Sequence, residues 1–142
     1  MTITLSGADS RSTISDAFGA YQFSALSAGE SYTVTPSKPT LPPGASGINT
    51  TDVIAVQRHF LGFAFLTGCR LLAADVNGDE LINTSDVIAI QRFALGLSTG
   101  VANVGAYVFL PPIRSYSDVS NDQVNQDYDA FVLGDVASPF VP

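Results

Sequence analysis

One twelve-residue stretch, residues 75–86, constrains this chain more than any other. Side chains that end in a carboxylate or amide oxygen occupy positions 1, 3, 5, 9 and 12 of the stretch. They are Asp75, Asn77, Asp79, Asn83 and Asp86, and position 7, Leu81, offers its backbone carbonyl. A hard cation is bound by about six to eight oxygens that converge from several directions. The spacing therefore predicts a loop that holds calcium with these six residues.

The other positions of the stretch indicate how the loop is anchored. Ile82 is apolar and is expected to point away from the ion, into a core. Asp86 stands where a helix is predicted to begin, so its carboxylate also faces the positive end of the helix dipole. The alternative is an Asp- and Asn-rich turn that only caps a helix. Five matching side chains in twelve residues favour the calcium loop.

The loop and the residues after it resemble a known repeat. Position 6 is Glu80 and position 12 is Asp86, where the general EF-hand pattern has Gly and Glu. An aspartate at position 12, followed by the sequence of residues 87–92 and by Leu95-Gly96, resembles a type I dockerin repeat. The resemblance implies a pair of loop-plus-helix units with antiparallel helices, and a cohesin domain as partner in a polysaccharide-degrading complex.

The chain contains the second unit that such a pair requires. Residues 48–63 align without gaps on residues 82–97, at an offset of 34, with eleven identities in sixteen. Helices are therefore predicted over about 51–61 and 85–95, each ended by a glycine. The apolar residues expected to pack between the two helices are Val53, Ile54, Val56, Leu61, Val87, Ile88, Ile90 and Leu95.

The first unit has lost the early ligands of its loop. At the same offset, Leu41, Pro43 and Ala45 stand where Asp75, Asn77 and Asp79 stand in the second unit. Asn49 and Asp52 remain, but two side chains make a poor calcium site unless residues from elsewhere in the chain help. We expect Asp52 to cap its helix and the proline-rich residues 36–47 to form a stiff linker.

Both flanks of the helical region show the two-residue period of strands. The predicted strands are 2–6, 13–15, 20–24, 31–35, 106–110, 115–117 and 126–133. The turns between them carry Gly or Asp, which favours antiparallel pairing. The pattern Asp16-x-x-Gly19-x-Tyr21-x-Phe23, with the strand entry at residues 26–34, is similar to the carboxypeptidase-regulatory-like, or prealbumin-like, β-sandwich of secreted bacterial proteins.

These observations predict a mixed α and β fold. A small antiparallel β-sandwich comprises residues 1–37 and 104–135, the dockerin-like helix pair of residues 38–103 is inserted in it, and residues 136–142 form a tail. The alternative is three separate domains in a row. Insertion is favoured because neither β segment has enough strands to bury a face alone.

The resemblance to the sandwich family implies one more strand before residue 2. A vacant sheet edge, together with the apolar tail of residues 136–142, predicts that neighbouring subunits donate a strand to one another. Donation from head to tail does not close on itself and gives a filament. The alternative is that the chain is a piece of a longer secreted protein whose upstream part supplies the strand.

Composition and motifs narrow the classes of function. Six basic residues stand against 13 acidic ones, and this net charge of −7 argues against nucleic acid and anionic membranes as partners. No apolar stretch reaches the roughly 20 residues of a membrane span. The single histidine, His59, and the single cysteine, Cys69, are expected to be packing residues, and no nucleophile or phosphate-loop motif is present.

The predicted function is that of a non-catalytic, calcium-stabilised structural or assembly module of an extracellular or cell-surface bacterial protein. Strand donation would make the module a filament subunit. Its partners are then other subunits of the assembly. The alternative function is a working dockerin that binds a cohesin. Asn49-Thr-Thr matches the N-glycosylation pattern, so an extracellular location would also allow glycan decoration.

Overall fold

The computed structural model describes residues 1–137, which form two compact units. The sheet unit comprises Met1–Lys38 and Phe109–Ala130, and the helical unit comprises Pro39–Val108 and residues 131–137. The described part of the chain therefore has a mixed α and β fold with antiparallel sheets, as predicted. No helix in it has the length and apolar character that crossing a membrane requires.

Six strands and three helices make up the described part of the chain. In chain order they are β1 (Thr2–Gly7), β2 (Arg11–Ile14), β3 (Glu30–Ser37), α1 (Thr50–Phe60), α2 (Cys69–Ala74), α3 (Thr84–Ala94), β4 (Tyr107–Leu110), β5 (Arg114–Val119) and β6 (Asp129–Val132). One sheet has the order β2-β1-β3-β5 and is antiparallel throughout, and β4 pairs with β6 in a second, two-stranded sheet.

The core of the sheet unit follows from the two-residue period of its central strands. Ile3 and Leu5 of β1, and Tyr32 and Val34 of β3, are buried on one face, while the residues between them face the other way. The register joins Leu5 to Val34 across the two strands. This face is the part of the sheet unit that its flanking segments cover.

Two predicted strands differ in the structure. Residues 20–24 form no strand, and the strand predicted over 126–133 is limited to β6. Among residues 1–137, no backbone–backbone hydrogen bond involves residues 21–28 or 120–128. A two-residue period becomes a strand only when a neighbouring backbone completes its hydrogen bonds, and these two segments have no such neighbour.

The predicted end of a strand at Pro36 is wrong. The strand β3 continues to Ser37, and Pro36 is buried opposite Ile3 of β1. Proline has no N–H to donate, so it is tolerated where a strand lacks a neighbour on one side. That condition holds here, because the pairing of β3 with β5 extends only to Val34 and Arg114.

The predicted linker is also part of a folded unit. The Leu41 N–H donates to the Gly105 carbonyl at 3.0 Å, and the Gly44 N–H donates to the Phe93 carbonyl at 2.7 Å. The proline-rich segment from Pro39 therefore belongs to the helical unit. Its prolines restrict the backbone, and these hydrogen bonds fix its path.

The two repeats fold alike at both ends of their helices. The helices α1 and α3 have 11 residues each, and each is followed by a glycine with positive φ, Gly62 at 74° and Gly96 at 73°. The buried core of the helical unit comprises Ile48, Val53, Val56, Ala73, Ala74, Val76, Ala89, Ile90, Phe93, Val104, Phe131, Val132 and Val136.

Half of the predicted interhelical packing is wrong. Ile54, Leu61, Ile88 and Leu95 are each at least 51% exposed. Each helix presents one narrow stripe to the core, so an apolar residue one position away from that stripe faces solvent. The exposed residues occupy equivalent positions in the two repeats, and they leave an apolar surface on both helices.

The chain also differs from the predicted boundaries near its C-terminus. Phe131, Val132 and Val136 are buried in the helical unit, so the sandwich segment predicted over 104–135 ends earlier, and the predicted tail 136–142 is not free at its start. The remainder of that tail, residues 138–142, lies outside the described residues.

Cys69, expected to be buried, is exposed.

A glycine in the helical unit gives the first testable prediction. A Cβ at Gly105, where φ is +85°, would lie 2.9 Å from both the Leu41 carbonyl oxygen and the Phe93 ring. We expect Gly105→Ala to lower the free energy of unfolding by about 2–3 kcal/mol, measured by urea denaturation. The matched control is Gly62→Ala, where φ is +74° and the space is open, so only about 1 kcal/mol of backbone strain applies. Equal effects of the two substitutions would contradict the packing described for Gly105.

Candidate metal centre and sheet groove

The loop between α2 and α3 is wound around the carboxylate of Asp75. Its Oδ1 accepts hydrogen bonds from the backbone N–H groups of Gly78, at 2.8 Å, and Asp79, at 3.2 Å. Its Oδ2 accepts a third from the Glu80 N–H at 2.9 Å. Three N–H donors on one carboxylate fix the first half of the loop and bring its side chains to one region.

The next predicted ligands lie beside one another in pairs. The Asn77 side-chain amide donates to Asp79 Oδ2 at 3.0 Å, and the Asn83 side-chain amide approaches the Leu81 carbonyl at 3.4 Å. Asp79 Oδ1 accepts the Leu81 N–H at 2.9 Å, which continues the turn. The structure thus brings these four residues of the predicted set together in neighbouring pairs.

The last predicted ligand, Asp86, is fully buried at the start of α3. Its Oδ2 accepts the Asn83 N–H at 3.0 Å, and the Asn83 side chain caps the Ser85 N–H at 2.7 Å, so the two residues form a capping box. Asp86 Oδ1 accepts the Val76 N–H at 3.1 Å. The loop and the helix are therefore joined through this carboxylate.

Burial is the main influence on the ionisation of Asp86. It raises the pKa of the carboxyl, backbone hydrogen bonds from Asn83 and Val76 lower it, and the charge of Asp75 raises it further. The one ion pair found among residues 1–137 joins Arg11 to Asp9 and is far from this loop in sequence. The charge of Asp86 is offset by backbone dipoles and not by an ion-paired cationic side chain.

The chemistry of the loop fits a hard cation. Three carboxylates, two amide oxygens and one peptide oxygen make a donor set of the kind calcium takes. Within the described residues no three His, Cys, Asp or Glu side chains are already arranged as a metal cluster, and the carboxylates are instead engaged by N–H groups. Glu80 has φ +66° at loop position 6, the left-handed conformation for which the EF-hand pattern uses Gly.

The first repeat places Asp52 in the same situation. Asp52 is fully buried, and its Oδ2 accepts the Asn49 N–H at 2.9 Å in a second capping box. Its Oδ1 accepts the N–H groups of Val136 and Ala137, both at 2.9 Å. The expected capping role of Asp52 is confirmed, and the C-terminal segment that meets it was not anticipated from the sequence.

Asp135, which precedes that segment, is a site residue that the sequence analysis missed. It is 8% exposed, and its Oδ1 has no hydrogen-bond partner in the part of the chain that the structure describes. Burial and the charge of Asp52 raise its pKa to about 6, and Arg70 lowers it. The available signal was the dipeptide Asp-Val, shared by residues 135–136 and 75–76.

The sheet unit contains an open groove of about 720 Å³. Its floor includes Leu5, Tyr32 and Val34, and its sides are residues 19–28 and 119–127. These sides overlap two irregular segments, 21–28 and 120–128, in which no backbone group is hydrogen-bonded to another within residues 1–137. The groove therefore combines an apolar floor with peptide groups that have no backbone partner.

Tyrosines hold the sides of the groove in place. The Tyr21 hydroxyl donates to the Gln126 carbonyl at 2.7 Å and joins the two segments. The Tyr128 hydroxyl donates to the Val34 carbonyl at 3.0 Å, and the Arg114 guanidinium lies 5.3 Å from the centre of its ring. Burial raises the pKa of both tyrosines.

His59 lies in a pocket that Asp75, Glu80 and Leu81 of the loop also line. The His59 Nδ1 accepts the Leu66 N–H at 3.0 Å, and its ring packs edge to face against Phe65 at 5.6 Å. This agrees with the expected packing role. Asp127 and Asp129 are exposed residues.

Comparison with known proteins gives no match to any family, to any curated protein or to any solved structure.

The tyrosines predict how the sheet unit responds to alkali. A phenol whose folded pKa is raised contributes stability that is fully present below its unfolded pKa of about 10 and is lost as the pH rises above it. We expect the melting temperature to fall above about pH 10. The fall should be smaller in Tyr128→Phe, which keeps the ring and removes the ionisable group. Identical pH profiles of the two proteins between pH 9 and 11, measured by calorimetry, would contradict this.

Proposed function

We propose that this chain is a non-catalytic structural module of an extracellular or cell-surface bacterial assembly, in which calcium stabilises the helical unit and the sheet unit accepts a strand from another subunit. The observation that carries the proposal is the groove of the sheet unit. Its two sides have irregular backbone, with Ala25 and Asn125 at φ 56°, and residues 21–28 and 120–128 make no backbone–backbone hydrogen bonds within residues 1–137.

A strand is the occupant that fits such a groove best. An extended segment laid between residues 21–28 and 120–128 could pair with backbone on either side, and these hydrogen bonds would turn both segments into strands of a second sheet. Its apolar side chains would pack on Tyr21, Phe23 and Leu26, which line the groove and are only partly buried. The result would be the predicted prealbumin-like sandwich, with the strand that its family implies supplied by a neighbour.

The donor we propose is the C-terminal tail of another copy, in a shorter form than the sequence suggested. Val136 is fully buried in its own helical unit, and the N–H groups of Val136 and Ala137 donate to Asp52. Only residues from Ser138 onward are therefore proposed as the donated segment. Their sequence, Ser-Pro-Phe-Val-Pro, offers the apolar side chains of Phe140 and Val141 for the groove.

Calcium has a separate part in this proposal. Bound by Asp75, Asn77, Asp79, Leu81, Asn83 and Asp86, the ion would neutralise three carboxylates that lie within twelve residues. The chain's own residues do the positioning, because Asp86 joins the loop to the start of α3 through Val76 and Asn83. The ion would thereby stabilise the connection between α2 and α3.

A second candidate function is the docking of a cohesin domain on the dockerin-like helices. It is favoured by the exposure of Ile54, Leu61, Ile88 and Leu95, which form an apolar surface on α1 and α3. The polar pairs that family dockerins use, Thr50-Thr51 and Thr84-Ser85, are exposed beside it. A pull-down against cohesin domains, compared with Ile54→Ser/Ile88→Ser, separates this function from self-assembly.

Calcium binding predicts a gain in thermal stability. A ligand that binds only the folded state at 100 times its Kd stabilises it by about 2.7 kcal/mol. We expect the melting temperature to rise with free calcium in the wild type. It should rise less in Asp75→Asn/Asp79→Asn, which lacks two carboxylates of the loop.

The control for this measurement is Asp118→Asn, an exposed aspartate of the sheet unit that should keep the full response. The melting temperatures are measured by calorimetry in calcium and in chelator. Equal calcium-induced shifts of the melting temperature in the loop variant and in the control would refute the calcium loop.

Strand donation predicts an assembly that grows with concentration. We expect the purified chain in calcium to show oligomers by multi-angle light scattering, and a chain that stops after Ala137 to remain a monomer. The truncation removes the proposed donor and leaves the hydrogen bonds of Val136 and Ala137 to Asp52 intact. A full-length chain that is monomeric at high concentration would contradict donation by the tail.

A further inference from the structure

The buried carboxylate at the start of α1 is met by a distant part of the chain. Asp52 is fully buried, and the N–H groups that its Oδ1 accepts come from residues 84 and 85 positions further along. Burying a carboxylate is costly, and a second carboxylate, Asp135, is buried immediately before this segment. An arrangement of two buried acids needs something to offset their charge.

We propose that Asp135, Asn49 and Asp52 form a second site for a hard divalent cation of the calcium type. Asp135 would be the ligand at loop position 1, and it comes from a different part of the chain than Asn49 and Asp52, the ligands at positions 9 and 12. The site goes beyond the proposed function, because its ligands are different residues from those of the loop at 75–86.

The first half of the site makes the same hydrogen bond as the first half of the complete loop, residues 75–86. The Val76 N–H donates to Asp86 Oδ1 at 3.1 Å, and the Val136 N–H donates to Asp52 Oδ1 at 2.9 Å. Both valines are fully buried in the same core. Asp135 therefore precedes its anchoring valine as Asp75 precedes Val76, and it stands at loop position 1.

The second half of the site is equivalent as well. The Asn49 N–H donates to Asp52 Oδ2 at 2.9 Å, and the Asn83 N–H donates to Asp86 Oδ2 at 3.0 Å. Both asparagines cap their helices in the same extended conformation. Positions 9 and 12 of a calcium loop are thus present at the start of α1, although Leu41 and Pro43 have replaced the early ligands in the sequence.

The state of the Asp135 carboxylate points to a ligand. The residue is more than nine-tenths buried, and its Oδ1 accepts no hydrogen bond from any residue between 1 and 137. In the complete loop the equivalent carboxylate, Asp75, accepts three N–H groups. An unpartnered carboxylate oxygen beside the buried carboxylate of Asp52 is suited to a cation.

Two features set the expected strength of the site. Ala137 stands at loop position 3, where the loop at 75–86 has Asn77. The second site therefore has fewer side-chain oxygens and should bind calcium more weakly. The positive charge of Arg70 also acts on Asp135 and should weaken calcium binding further.

Calcium titration of the full chain by isothermal calorimetry tests the site. We expect two ions per wild-type chain, one ion in Asp135→Asn and one in Asp75→Asn/Asp79→Asn. Because each variant changes the ligands of one site only, the loss of the ion at residues 75–86 is distinguished from the loss of the ion at Asp135. Two ions in Asp135→Asn, or none in the loop variant when its circular dichroism is native, would overturn the proposal.

A gain-of-binding variant keeps the test valid if a loss variant fails to fold. Ala137→Asp adds a carboxylate at loop position 3 on a half-buried residue and keeps its backbone N–H. We expect its weaker calcium site to tighten by about tenfold, or about 1.4 kcal/mol. The matched control is Ala130→Asp, outside the helical unit. An unchanged affinity in Ala137→Asp, or an equal gain in the control, would refute the site.

Discussion

The helical unit depends on two carboxylates that are buried at the first turns of its helices. Asp52 and Asp86 are both fully buried, and each accepts the N–H of its own capping asparagine and an N–H from another segment. The helix dipole and these donors offset part of the cost of burial. Because each carboxylate needs the second segment, the loop at 75–77 and the stretch at 135–137 are both held against a helix.

This constraint explains how the chain is divided. The stretch from Phe131 belongs to the helical unit, because Val136 fills the core position beside α1 that Val76 fills beside α3. The sheet unit is governed by a different requirement. Its four-stranded sheet buries one face, and the segments over that face are irregular and make no backbone–backbone hydrogen bonds among the described residues. In the helical unit the C-terminal stretch at 131–137 completes the core, whereas the sheet unit has an open groove.

The parts of the fold that are encoded locally could be predicted from the sequence. The offset of 34 gave both helices, and the two-residue period gave β1 and β3. Residues 20–24 have the same period but form no strand, because pairing depends on a distant neighbour. Asp135 could not be found by the repeat alignment, since only the Asp-Val dipeptide links it to Asp75, and its partner Asp52 is 83 positions away.

Amide hydrogen exchange, measured by NMR in calcium and in chelator, tests most directly whether a cation completes the loop at Asp75. The N–H groups of Gly78, Asp79 and Glu80 all donate to that carboxylate, so they report on its position. Calcium is predicted to slow their exchange at least tenfold more than it slows exchange in β1 of the sheet unit. Equal rates with calcium and with chelator at all three groups would contradict the account.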